Sequence, residues 1–290
     1  MEGILKTIRC LIPPLSQALH KGQMGRIGVV GGSKEYSGAP YFAGITALSC
    51  GADLVHVICA SSAAQAIKCY SPELMVHPSL DTDIDESTFW INKVHSIVIG
   101  PGLGKSANEI AVKIMNLARS NNSPLVVDAD GLYAVSQNLE TVRNYKHVIL
   151  TPNVNEFNLL YKTVFQTEPS DDPQETVKLA RQLEGVTIVR KGPSDIISDG
   201  DQLIVYNFGG SPRRCGGQGD LLSGAAAVFS FWFAKAKIDG PYSSTMLAAT
   251  AACMLTRLCA KRAFEKYGRC TMTNKMIEEI GPAFEELFIA

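Results

Sequence analysis

Six short β-branched runs recur along this chain, and almost every one is followed by a Gly-, Pro-, Asn- or Asp-bearing loop. The runs are RIGVVGG from Arg26, DLVHVIC from Asp53, HSIVIG from His95, PLVVDAD from Pro124, HVILTP from His147 and VTIVRKG from Val186. Between most of them lie segments with helical spacing, such as Ala107–Ser120 and Pro173–Gly185. Strands that are apolar throughout, alternating with helices, require a parallel sheet covered on both faces. DIIS and QLIVYNF, separated only by Asp199, Gly200 and Asp201, read as a β-hairpin, and the chain beyond them is mostly helical. The expected fold is α/β: a central, mostly parallel sheet with helices on both faces and a small β-hairpin in the C-terminal half. With no repeat and no low-complexity linker, residues 1–290 are expected to form one domain.

Composition narrows the class. Of 290 residues, 46% are hydrophobic and 19% charged, enough for a large core. The net charge of −1 supplies no field for nucleic acid or an anionic membrane. Apolar runs such as LLSGAAAVFSFWFA are too short or interrupted to span a bilayer. The eight cysteines form no Cys-x-x-Cys pair and lie mostly in apolar surroundings, so neither zinc nor a disulfide framework is expected. The first 20 residues lack a secretory-signal pattern. The expected compartment is a reducing one, the cytoplasm first and the mitochondrion second.

In open parallel sheets ligands bind beyond the carboxyl ends of the strands. The most informative loop there is RRCGGQGDLLSG. Its glycines, Gly216, Gly217 and Gly219, permit positive φ and close approach, and Asp220 is expected to begin an apolar helix. The first-turn amides of that helix have no intrahelical partner and lie at the positive end of its dipole, which makes a site for a phosphoryl group. Capping accounts for an acid in the first turn. It does not account for three glycines preceded by Arg213 and Arg214.

Other loops are less decisive. GPGLGKS would be a P-loop only with glycine at Ile99, and GVVGGSKEYSG lacks the dinucleotide-fingerprint spacing. In RKGPSD, Lys191 can meet a phosphate and Gly192 lets the backbone approach a nucleoside; a solvated turn explains the loop almost as well. In TPNVNEF, Asn153, Asn155 and Glu156 together exceed what capping one helix needs. Asp128 and Asp130 end a strand and either cap or orient water around Mg²⁺. The five histidines show no metal or triad spacing, and Cys215 has no evident paired histidine.

These segments, in order from KGQMGRIGVVGGSKEYSGAPYFAGITALSCGADLVHV through IGPGLG, VVDADGL, LTPNVNEF and RKG to GGSPRRCGGQGDLLSG, resemble the NAD(P)H-hydrate dehydratases of the ribokinase-like superfamily over about residues 20–285. The form SPRRCGGQGD is similar to that of the eukaryotic, ATP-dependent branch. The residue after LTP, often histidine in bacterial relatives, is Asn153 here.

The resemblance implies ATP-dependent repair of hydrated NADH and NADPH, with Mg²⁺ on the nucleotide. Asp220 would accept the proton of the attacking hydroxyl, with the Gly217 and Gly219 amides stabilising the transferring group. The resemblance places ATP along Lys191, Gly192, Pro193, Ser194 and Asp195, and along Gly210, Ser211, Pro212, Arg213, Arg214, Cys215, Gly216, Gly217, Gln218 and Gly219. It places the hydrated coenzyme against Ala39, Gly102, Gly104, the segment Asn153, Val154, Asn155, Glu156, Phe157, Asn158 and Leu159, and Asp220. It also implies a homo-oligomer, with tetramers common among relatives. Two other readings stay open: a ribokinase-like kinase for a vitamin precursor, which would use the same loop and aspartate, and a nucleotide-binding module without turnover.

Overall fold

In the computed structural model, which describes residues 1–238 and 240–289, nine strands form a single sheet. They are β1 (Arg26–Val30), β2 (Leu54–Ile58), β3 (Met75–His77), β4 (Ser96–Ile99), β5 (Leu125–Val127), β6 (Val148–Leu150), β7 (Thr187–Arg190), β8 (Asp195–Ser198) and β9 (Leu203–Tyr206). Their order is β3-β2-β1-β4-β5-β6-β7-β8-β9. The seven strands from β3 to β7 are parallel. β8 and β9 add an antiparallel hairpin at one edge. All six expected strands and the hairpin are present. β3 was not expected; it has three residues, too few to show a period.

The parallel strands are buried on both faces because alternate residues enter two different cores. Val29, Val57, Val98, Val126, Ile149 and Val189 face one layer. That layer is built largely from the helices Gly38–Ser49, Gln218–Ala234 and Ser244–Tyr267. Ile99, Val127, Leu150 and Ile188 face the other, under the helices Asn108–Ser120, Val154–Phe165 and Gln174–Gln182. The helix Gln218–Ala234 is apolar nearly all round, as a helix wedged between a sheet and two neighbours must be. A side chain at Gly224 would overlap the Ala43 carbonyl oxygen, so glycine sets how closely this helix meets Gly38–Ser49.

All eight cysteines are free. Among the described residues no helix is long and apolar enough to cross a membrane.

Candidate active site

A cavity of about 650 Å³ opens at the carboxyl ends of β5, β6 and β7, beside the amino end of Gln218–Ala234. The helix begins at Gln218, two residues before the expected start, so Asp220 is its third residue. Its N-cap is Gly217, at φ 96°, which has no side chain to cap with. A Cβ there would come within 2.8 Å of Phe42 and Thr273. The first bond of the helix is from the Leu221 N–H to the Gly217 carbonyl, 3.0 Å. The N–H groups of Gln218, Gly219 and Asp220 are therefore without intrahelical acceptors where the helix dipole is positive. Of the three expected positive-φ glycines, only Gly217 adopts that conformation. Gly219 acts by its size: a Cβ there would stand 3.2 Å from Lys191 Nζ and 3.5 Å from Asp128 Oδ2.

Lys191, just past β7, donates from Nζ to Asp128 Oδ1 at 2.8 Å, and the same oxygen accepts from Thr151 Oγ1 at 2.9 Å. Asp128 and Thr151 are buried. Burial opposes the charge on Lys191, but Asp128, Glu156 and Asp220 together outweigh it and hold its pKa above the ordinary lysine value. Asp220 is pushed up from 3.8 to about 8, first by burial and then by the negative charge of Asp128, with Lys191 pulling the other way. A carboxylate poised near neutrality, beside free amides and a lysine, suits proton transfer coupled to arrival of an anion.

The structure gathers many of the expected residues around this cavity. Asn153, Val154, Asn155, Glu156, Lys191, Gly192, Pro193, Asp195, Gly210, Arg214, Gly217, Gln218, Gly219 and Asp220 all line it. Ser194, Ser211, Pro212 and Arg213 stand outside its lining. Cys215 and Gly216 face a neighbouring cavity of about 630 Å³ with Tyr41, Phe42 and Met272.

Two expectations need correcting. Asn153 and Glu156 form a capping box: Asn153 Oδ1 accepts from the Glu156 N–H at 3.1 Å, and Glu156 Oε2 accepts from the Asn153 N–H at 2.8 Å. Capping thus accounts for two of the three polar residues in TPNVNEF. Phe157 is fully buried, with the Arg190 guanidinium 4.5 Å from its ring centre, so its side chain is core and cannot touch a ligand. Asp128 Oδ1 is engaged by Lys191 and Thr151, and Asp130 Oδ2 accepts from the Gly104 N–H at 2.8 Å, so one oxygen of each carboxylate is committed to holding the loops together.

Asn158, Leu159, Ala39, Gly102 and Gly104 are outside the cavity lining. The last three lie where strand order reverses between β1 and β4, with Gly102 packed beneath the Tyr36 carbonyl.

Arg257 belongs to none of the segments that the sequence singles out. From the helix Ser244–Tyr267 it donates to the Pro193 carbonyl at 2.6 Å, to Asp195 Oδ2 at 3.3 Å and to the Phe208 carbonyl at 3.2 Å, and its own carbonyl accepts from Gly210 N–H at 2.8 Å. It ties together the two loops expected to hold the nucleotide. Nothing local marks it; its partners lie some 50 to 65 residues away in the chain.

No group of three His, Cys, Asp or Glu side chains able to cage a metal occurs among the described residues. The cavity lining carries the carboxylates Asp128, Glu156, Asp195 and Asp220, and Mg²⁺, usually carried on phosphates and water, needs only one or two.

A nine-stranded, mostly parallel sheet with a cavity at a glycine-flanked helix mouth defines a ribokinase-like α/β protein. Solved structures agree on the fold. A ribokinase-like superfamily protein from Enterococcus faecalis superposes with a TM-score of 0.78 at 21% identity, covering 98% of this chain and 94% of that one. The ADP/ATP-dependent NAD(P)H-hydrate dehydratase from Bacillus subtilis, co-crystallized with ATP/Mg²⁺, gives 0.76 at 20% identity, covering 98% and 97%. The NAD(P)H-hydrate dehydratase family model matches residues 27–283. The human ATP-dependent (S)-NAD(P)H-hydrate dehydratase is 48% identical over 99% of this chain and 85% of its own length. Its Ixodes scapularis counterpart is 47% identical over 96% and 93%. The chain belongs to the NAD(P)H-hydrate dehydratase family.

Proposed function

We propose that this enzyme uses ATP to dehydrate the S form of hydrated NADH and NADPH, restoring the reduced coenzyme and releasing ADP and phosphate. The observation that carries the chemistry is Asp220 at the third position of a helix whose first amides are free, with the Lys191 ammonium beside it. Hydroxide leaves poorly and phosphate leaves well, so the task is to make the C6 hydroxyl a phosphate ester.

Asp220 accepts the hydroxyl proton as the oxygen attacks the γ-phosphorus. The oxygen–phosphorus bond to ADP breaks, with its electron pair staying on ADP. The amides of Gln218, Gly219 and Asp220 meet the charge on the transferring group, each donor worth roughly 3 kcal/mol. The ester C–O bond then breaks with help from the ring-nitrogen lone pair. The departing phosphate takes the C5 proton, and the C5–H electron pair completes the double bond. Mg²⁺ bound to the nucleotide would supply further charge neutralisation, with Glu156, whose Oε1 makes no hydrogen bond among the described residues, one of the lining acids that would help hold it.

Residues 1–290 act as one domain in this reading, and the chain assembles as a homo-oligomer; light scattering of the purified protein tests the assembly. The function is tested by incubating hydrated NADH with protein, ATP and Mg²⁺ and following reduced-nicotinamide absorbance. Recovery of absorbance with release of phosphate is expected, faster with ATP than with ADP. A phosphate ester that persists, with flat absorbance, would refute repair and favour a kinase.

A further inference from the structure

We propose that Lys191 supplies the positive charge that meets the phosphoryl group in transit, and that Asp128, anchored by Thr151, is the positioning residue that holds its ammonium at the helix mouth. This rests on the ATP-dependent reading above and adds a cation and its support to the aspartate and amides.

The geometry comes from three consecutive strand ends. Thr151 Oγ1, fully buried at the end of β6, donates to Asp128 Oδ1 at 2.9 Å. Asp128 is 2% exposed, so this carboxylate is set by protein groups and not by water. The Lys191 ammonium closes the chain of contacts on the same oxygen at 2.8 Å. Its backbone N–H is fixed in turn by the Pro152 carbonyl at 2.8 Å.

An ion pair that only joined two loops could point anywhere. This one points at the first turn of Gln218–Ala234. The space a Gly219 side chain would fill is 3.2 Å from Nζ, so glycine is what leaves the ammonium beside the unpaired amides. Ala129, immediately after Asp128, sits at φ 47° and ψ −121°, a conformation that non-glycine residues rarely adopt. Strain of this kind persists where the surroundings over-determine a site. Here it turns the backbone so that Asp128 meets Lys191 while Asp130 meets the Gly104 amide.

In the transfer step Lys191 neither gains nor loses a proton. As the bond to ADP breaks and the bond to the hydroxyl oxygen forms, charge gathers on the equatorial oxygens, and a fixed ammonium stabilises it without reorganising.

Two measurements test this on the full chain. In turnover of hydrated NADH, Lys191→Met should lower kcat about 10²- to 10³-fold. Asp128→Asn should lower kcat roughly 10- to 100-fold and Thr151→Val about 3- to 10-fold, each leaving the KM for ATP within about threefold. Compared on the high-pH plateau, where Asp220 is ionised in every variant and the direct effect of Asp128 on its titration drops out, the double variant Asp128→Asn/Lys191→Met should be no slower than Lys191→Met alone. Losses that multiply in the double variant, or an unchanged kcat in Asp128→Asn and Thr151→Val, overturn the proposal. Thr151→Val carries the test if Asp128→Asn fails to fold.

The second measurement does not depend on the acceptor: calorimetric binding of ADP with aluminium fluoride, a mimic of the transferring phosphoryl group. Lys191→Met should weaken that complex about 10²-fold while weakening ADP alone less than about threefold. If the native enzyme shows this difference but does not repair hydrated NADH, the function is wrong and the lysine assignment stands. Equal losses for both ligands overturn the assignment.

Discussion

The pH dependence of turnover tests the site most directly, because two charges act on Asp220 in opposite directions. Asp220 is pushed up from 3.8 to about 8 by burial and by Asp128, while Lys191 holds it down. kcat/KM reports ionisations of the free enzyme, and the base must be ionised to act. A group titrating at about 8 is ionised to roughly 1% at pH 6, 10% at pH 7, 50% at pH 8 and 90% at pH 9. Turnover of hydrated NADH should therefore rise nearly tenfold from pH 6 to 7, about fivefold from 7 to 8, and level off near 9. Asp128→Asn should move this limb to lower pH by removing the like charge, and Lys191→Met should move it higher by removing the opposite one. Stability shifts as well. A carboxyl group with a raised folded-state pKa contributes stability that is present below its ordinary value and is lost as pH rises through about 8. Asp220→Asn should thus gain in thermal midpoint over the native enzyme between about pH 4 and 8, while losing about 10²-fold or more in kcat. A limb near pH 4, or movement of both charge variants in the same direction, would refute the electrostatic reading of the site.

Other perturbations probe the scaffold. Gly224→Ala would drive a methyl group into the Ala43 carbonyl, which cannot rotate away; a loss of about 3 kcal/mol is expected in denaturant unfolding. Gly217→Ala combines a φ of 96° with 2.8 Å clashes against Phe42 and Thr273, so it should abolish most turnover while leaving far-ultraviolet circular dichroism intact. Arg257→Ala removes the clamp between the loop at Pro193 and the loop at Phe208–Gly210 and leaves the buried Asp195 without its partner. It should raise the KM for ATP and cost about 3 kcal/mol in unfolding. Because one sheet connects both halves of the chain, unfolding should follow a single transition. ATP at 100 times its Kd should then add about 2.7 kcal/mol.

The sheet was legible because strands buried on both faces must be apolar throughout, and six of them announce themselves that way. β3 was not, since Met75–His77 is shorter than any period. Asp220 was legible as the acid beside the glycines, but the helix start was placed two residues late because the sequence does not say which glycine ends the loop. Phe157 falls within the contiguous segment that the resemblance places against the ligand. Helical spacing argues otherwise, since Phe157, Leu160 and Tyr161 form the buried stripe of Val154–Phe165. Arg257 and the pairing of Asp128 with Lys191 were beyond reach for a different reason. The pair spans 63 positions, and only strand order brings them together.

Strand order and pleat together explain why the charged residues converge. Val127 pairs with Leu150 across β5 and β6, so the next residues, Asp128 and Thr151, are neighbours by register alone. Leu150 pairs with Ile188, which brings the end of β7 alongside. Side chains alternate between faces. Val126, Ile149 and Val189 enter the core beneath Gln218–Ala234, and Val127, Leu150 and Ile188 enter the opposite one. Continuing that alternation sends Asp128, Thr151 and Lys191 to the side of the helix mouth. Arg190, between Val189 and Lys191, goes the other way and lies over Phe157. A single residue inserted within β5 would exchange the two faces, placing a valine where Asp128 stands and leaving the half-buried Lys191 without its carboxylate. The period that lets the sheet bury its apolar residues on both sides is thus the same period that delivers the carboxylate, hydroxyl and ammonium to one point.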